Sequence, residues 1–202
     1  MASTTLLDLP GEIRNQIYHQ LLILPPLSTP NPPPIYPEIL QTCRKIHEES
    51  KHILYGYNTF IAHANLLSDM PRLRKCFPTF SYPNLISMIR RYHISVRLDC
   101  DPNFSAEKAK EAFTGVEELT IEVFQAQFES SDYKVLKLFE DIRDVKKARI
   151  YGSVQAFPDY VDWLKRAIMT AEGSPVQNFG ESGYFRCENL RYVDCQWKLG
   201  ID

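Results

Sequence analysis

The chain has 202 residues, 44% of them hydrophobic, and a formal net charge of −2, which suits one domain, or a small N-terminal module with a second domain behind it. So balanced a charge gives no general attraction to nucleic acid or acidic membranes, and no apolar run approaches the roughly 20 residues of a membrane span. No secretory signal is expected, because Met1–Thr5 lacks a basic start and residues 6–24 are interrupted by Asp8, Glu12 and Arg14; the five cysteines, without tight spacing, fit reduced thiols in the cytosol or nucleus.

Residues 6–24, LLDLPGEIRNQIYHQLLIL, predict one short amphipathic helix. Leu9, Ile13, Ile17, Leu21 and Leu24 recur at helical spacing and share a face. Pro10 suits the first helical position, Glu12 suits the positive end of the helix dipole, and Pro25 and Pro26 stop the helix. A helix of this length is marginal alone in water, so its apolar face has to be covered by the rest of the chain or by another protein. Residues 24–37 then hold half of the chain's 14 prolines. They predict an extended, semi-rigid connector between two helices, with a ligand for proline-recognising domains as the alternative.

The second helix is predicted over Pro37–Tyr55. Ile39, Cys43, Ile46, Ser50, Ile53 and Tyr57 form its stripe, Arg44–Glu48 and Lys45–Glu49 pair across the other face, and Gly56 supplies the stop. Residues 58–62 read as a short strand.

At this point a resemblance is visible. LPGEIRNQIY (residues 9–18), followed by ILQTCRKIHEESKHILYGYNTF (residues 39–60), resembles the F-box-like head of a large group of fungal proteins. One such group is named for its E-x-R motif, matched by Glu12-Ile13-Arg14. The shared features are Leu-Pro opening a helix, then T-C-R-x-I-x-x-E, then an aromatic-Gly-x-Asn-x-Phe ending. The proline-rich insertion stands where an F-box has a short middle helix. The resemblance covers residues 6–60 and implies a helical module that docks on the Skp-family adaptor of cullin–RING ubiquitin ligases. Leu9, Pro10, Ile13, Ile17 and Leu21, with Cys43 and Ile46, would build that module, and the edge of the first helix's face would meet the adaptor.

Residues 65–77, NLLSDMPRLRKCF, predict a helical stretch restarted at Pro71, and Asn84–Arg90 another short helix. The rhythm then changes. Ile94, Val96 and Leu98 alternate with His93, Ser95, Arg97 and Asp99, as in a half-buried strand. Leu119, Ile121 and Val123 make a second strand; Ala148, Ile150, Gly152 and Val154 make a third. Helices are expected between them, one capped by Ser105 over Ser105–Thr114 and one capped by Asp132 and carrying Val135, Leu136, Phe139 and Ile142. Another opens at Pro158 with Phe157, Val161, Leu164, Ile168 and Ala171 on one face. A last strand is expected around Leu190–Cys195.

Short strand–helix–strand crossovers of this kind give parallel, right-handed units. Their spacing falls at the long end of leucine-rich-repeat periods, roughly 20–29 residues, although the consensus is absent. The expected fold is therefore α+β, or α/β. Residues 1–60 form the F-box-like helical module with its proline-rich loop at 25–37. Residues 61–202 form an irregular, leucine-rich-repeat-like strand–helix array, an open sheet covered by helices; a ferredoxin-like α+β sheet is the alternative. The two parts either stand apart or pack as one globule.

No motif for catalysis is evident: no Gly-rich phosphate loop, no G-x-S-x-G and no H-E-x-x-H. Cys43-x₃-His47 lacks a second pair at ligand spacing, so no metal or cofactor is expected. Cys187 and Cys195 read as core or chance, and Glu117-Glu118 as solvated. His93, on the polar side of its strand, could serve a pocket. Arg72, Arg74, Lys75, Arg90 and Arg91 would make a cationic patch if a turn brought them together, although a solvated face is the simpler expectation. The function expected is a non-enzymatic interaction protein, an F-box-like adaptor between a ubiquitin ligase and an unknown protein target. A stand-alone scaffold is the alternative, a nucleic-acid contact is disfavoured, and an enzyme is ranked last.

Overall fold

The computed structural model describes residues 5–126 and 132–180. Its elements run α1 (Gly11–Leu22), α2 (Arg44–Tyr57), β1 (Thr59–His63), β2 (Leu67–Arg72), α3 (Pro83–Ile86), β3 (Arg91–Arg97), α4 (Ala106–Phe113), β4 (Glu118–Phe124), β5 (Lys147–Gly152) and α5 (Pro158–Met169). The fold is mixed α+β. Its five-stranded sheet has the order β2-β1-β3-β4-β5; β1 and β2 are antiparallel and the other pairs are parallel. That pairing removes the ferredoxin-like alternative. The strand expected around Leu190–Cys195, with Cys187, lies outside the described residues.

The sheet follows from alternation in its strands. Register places Phe60, Tyr92, Leu119 and Ala148 in one row, and Ile94, Ile121 and Ile150 in another. Most of these side chains are buried, on the face that α4 covers: the Phe113 ring meets Tyr92 edge-on at 5.5 Å. Ser105 and Pro158 start their helices where the sequence predicts. Ser105 caps α4 by accepting from the Lys108 amide at 3.4 Å. Pro158 opens α5, and Tyr160, Val161, Leu164 and Ile168 are buried. The helix ends at Met169, so Ala171 is outside it and exposed. The element after Asp132 is a 3₁₀ helix, Val135–Phe139, rather than an α-helix. The buried residues form one continuous cluster from Tyr18 to Ile168.

Residues 65–77 are not helical: Leu67–Arg72 is an edge strand of the sheet. The His63 ring nitrogen accepts from the amides of Asn65 and Leu66, and Leu67 takes a left-handed φ of 51°, which turns the chain back on itself. Leu67, Pro71 and Leu73 then point inward at even spacing, and an edge strand tolerates a proline. The second helix does not begin at Pro37. A 3₁₀ turn covers Pro37–Gln41, and α2 starts only after Cys43. Nor does Gly56 stop it; the helix runs through to Tyr57, which is 51% exposed.

The packing of α1 also differs from the expected stripe. Its inward side carries Arg14, Tyr18 and Leu22, whereas Ile13 is 41% exposed and Leu9, Ile17 and Leu21 are only half-buried. Of the expected stripe, Leu24 alone, beyond the helix end, is buried. The reason is an ion pair. Glu49 of α2 takes two parallel bonds from the Arg14 guanidinium, at 2.8 and 2.6 Å, and one from the Tyr18 hydroxyl at 3.0 Å. Arg14 also donates to the Leu9 carbonyl. A bidentate arginine–carboxylate pair fixes orientation as well as distance, so it turns α1 about its axis and leaves Ile13 outside. Glu49 is therefore the partner of Arg14, not of Lys45, and Glu48 pairs with Lys51 at 2.5 Å, not with Arg44. The E-x-R arginine and the last glutamate of T-C-R-x-I-x-x-E are two ends of one contact.

Arginine bonding holds the Glu49 carboxyl down at about 2 against its ordinary 4.5. A lowered folded-state value means that the contact contributes fully above about 4.5 and is lost as pH falls through about 2. Glu49→Gln should melt below the wild type at neutral pH. The gap between the two melting curves should narrow on acidification and close near the lower limit; a constant gap would show that the pair contributes nothing.

Candidate functional site

Two surfaces stand out once the strands and helices are placed. The first is the outer side of α1. Ile13, Ile17 and Leu21 lie along it with Gln16 and Gln20 between them and border a shallow depression. Pro10 sits at the helix N-cap and Leu9 just before it. Of the other residues expected in the module, Ile46 is buried in the core, and Cys43 is half-buried at the N-cap of α2. These two thus do not share the outer surface of α1. His47 binds the Leu40 carbonyl through its ring nitrogen at 3.1 Å. Among the described residues no group of three His, Cys, Asp or Glu side chains is placed to hold a metal ion, and no helix is long and apolar enough to cross a membrane.

The second surface is the sheet face that α4 does not cover. The odd-numbered residues of β3 project there. Register sets His93, Thr120 and Arg149 side by side, with Arg91, Glu118 and Lys147 in the row before them and Ser95, Glu122 and Tyr151 in the row after. Beside β1 and β3 this face is flanked by the chain leaving α1. Residues Leu24–Ser28 and the Arg74 side chain border a half-open cavity of about 630 Å³ beside His93, Thr120 and Arg149. The proline-rich connector, at its N-terminal end, is thus one wall of this cavity.

Arg74 sets that wall in place. Its guanidinium donates to the carbonyls of Pro25, at 2.5 Å, and Leu73, at 2.8 Å, with a longer contact to Thr59 at 3.4 Å. All three partners are neutral, and burial lowers its pKa. Arg91 donates to the Tyr57 carbonyl and lies 5.5 Å from the centre of the Tyr57 ring; it is 3.5 Å from Glu117. Arg149 is 3.5 Å from Glu118. The two glutamates expected to be simply solvated are therefore both in ion pairs, Glu117 with Arg91 and Lys146, Glu118 with Arg149 and Lys147.

The expected basic patch does not assemble as a unit. Arg74 and Arg91 meet at the cavity, but Arg72 of β2 sits opposite Ile61 of β1, and Arg90, just before β3, is exposed. Lys75 is exposed after β2, near enough to His93 to disfavour its protonation. His93 itself is only 8% exposed. Desolvation is the main cause that lowers its pKa, against the opposing pull of Glu122 at 3.2 Å. Ser95 donates to Glu122 at 2.9 Å and not to the imidazole, which it approaches at 3.5 Å through the same ring nitrogen. A nucleophile activated by a base needs the base to accept from it while a third group orients the other ring nitrogen; this trio is not arranged that way.

No family model matches the chain, and no curated protein or solved structure matches it either. The cavity members Arg149 and Tyr151 carry no local motif. Their one sequence signal is alternation: Arg149 and Tyr151 occupy the polar positions of the third strand, as His93 does in the first.

Proposed function

We propose that this chain is an F-box-like interaction protein that docks a Skp-family adaptor of a cullin–RING ubiquitin ligase on the outer side of α1 and holds a protein target with its strand–helix part. The observation that carries this is the orientation of α1. Arg14, Tyr18 and Leu22 tie the helix to the core, and Ile13 and Ile17 stay available beside the Leu-Pro opening. An apolar pair on a rigidly fastened helix is the geometry of helix-face recognition. The repeat-like character of the target-holding part is supported by the strand order, in which β3, β4 and β5 are successive neighbours. Such an array offers an extended surface for a partner.

Ile13 is exposed, so Ile13→Asp does not insert a charge into the core. With this single change, affinity for the purified adaptor should fall at least about tenfold, the loss of roughly 1.4 kcal/mol, with the melting temperature little changed. Lack of capture of the intact chain at micromolar adaptor would overturn the ligase connection. One observation favours a second proposal, a stand-alone interaction protein without a ligase: Tyr18 and Leu22 of α1 belong to the same buried cluster as β3, β4 and α5.

A further inference from the structure

We propose that the cavity on the open sheet face binds a small phosphorylated ring compound, its phosphate drawn by the Arg74, Arg91 and Arg149 guanidiniums and its ring laid against Tyr57 and Tyr151. This goes beyond the adaptor proposal, which concerns the outer side of α1.

Charge is the first reason. Three guanidiniums border the cavity against one carboxylate, that of Glu118, while Arg91 also pairs with Glu117 outside the lining. Glu118 does not neutralise them: it is shared between Arg149 and Lys147, at 3.5 and 3.9 Å. Arg74 is the decisive group. It is half-buried, and its hydrogen-bond partners are main-chain carbonyls. Carbonyls orient a guanidinium but do not cancel its charge, and a desolvated, uncancelled cation favours an anion within reach. Arginine forks match the oxygens of phosphate better than a lysine point charge does.

Shape and composition supply the rest. About 630 Å³ falls within the roughly 300–1,000 Å³ of small-molecule sites, and the 24–28 wall limits one side. Tyr57 is 51% and Tyr151 47% exposed. Both border this cavity, where the floor is otherwise polar. Tyrosines placed so offer ring surface to stack and a hydroxyl to hydrogen-bond. Thr59 and Thr120 add hydroxyls to the same walls.

Phenyl phosphate is the probe, titrated by calorimetry into the full chain, with inorganic phosphate and phenol as separate arms. Phenyl phosphate should bind in the submillimolar range, and each half alone at least about tenfold more weakly. Arg149 is exposed, so Arg149→Glu should fold normally and weaken phenyl phosphate by about tenfold or more. Tyr151→Ala should weaken phenyl phosphate and leave inorganic phosphate unchanged. The proposal is overturned if phenyl phosphate fails to bind at millimolar concentration, or binds the Arg149→Glu chain equally well. Equal binding of inorganic phosphate and phenyl phosphate overturns the ring. None of these outcomes depends on whether the adaptor is captured.

Discussion

Asn58→Ala is expected to destabilise the protein by about 3–5 kcal/mol, measured as a shift in urea midpoint at constant slope. The side chain is 2% exposed and joins three segments. Its oxygen accepts from the Leu24 amide at 2.8 Å, and its nitrogen donates to the carbonyls of Leu22, at 2.8 Å, and Leu54, at 2.9 Å. It therefore satisfies the last turns of both α1 and α2, where carbonyls lose their helical partners, and it fixes the point at which the 24–28 wall departs. Truncation leaves three main-chain groups unpaired in the interior, each costing about 1–3 kcal/mol. Asn58→Asp should not rescue stability at neutral pH. It keeps the acceptor for Leu24 but sets a second oxygen against two carbonyls. If the alanine variant unfolds within about 1 kcal/mol of wild type, the junction does not hold the helices together.

Gly152→Ala is expected to cost on the order of 4 kcal/mol and to show it as a lowered melting temperature. Gly152 closes β5 at φ 108°, a backbone region that disfavours any side chain. A Cβ there would sit 2.0 Å from the Val123 carbonyl oxygen. That oxygen also accepts from the Ser153 amide at 2.8 Å, so β4 cannot yield without losing a bond. Gly115→Ala is the control. Its φ is 78°, but nothing lies within 4 Å of an added Cβ, so only the backbone term of about 1–2 kcal/mol applies. Equal effects at the two positions would show that the clash is relieved by movement of the strand.

The strands with clean alternation were legible from sequence: β3, β4 and β5 lie where Ile94, Ile121 and Ile150 placed them, and their parallel pairing follows from the helices between them. The region of β2 was not. The spacing of Leu66, Leu67, Met70 and Leu73 fits a helix as well as a strand, and the choice is made by the His63 turn and a left-handed Leu67, which are tertiary facts. For α1 the apolar count misled because a charge outranks it: Arg14 goes inward only because Glu49, 35 positions on, is there to receive it. Of the cavity, His93, Arg74 and Arg91 could be singled out from residue type. Their meeting with Arg149 and Tyr151 depends on strand register, which no local pattern shows.

The strand order has a kinetic corollary. Among the described strands only β1 and β2 are joined by a turn short enough to close in microseconds. Every parallel pair has to bring a whole crossover back over the sheet before any ladder bond forms, and such distant closures are slow. β5, the edge strand farthest from that hairpin, gains its one strand partner through such a closure. The rim bearing Arg149 and Tyr151 is held by ladder bonds on one side only, which favours local opening, and an occupant of the cavity would act on it as a latch.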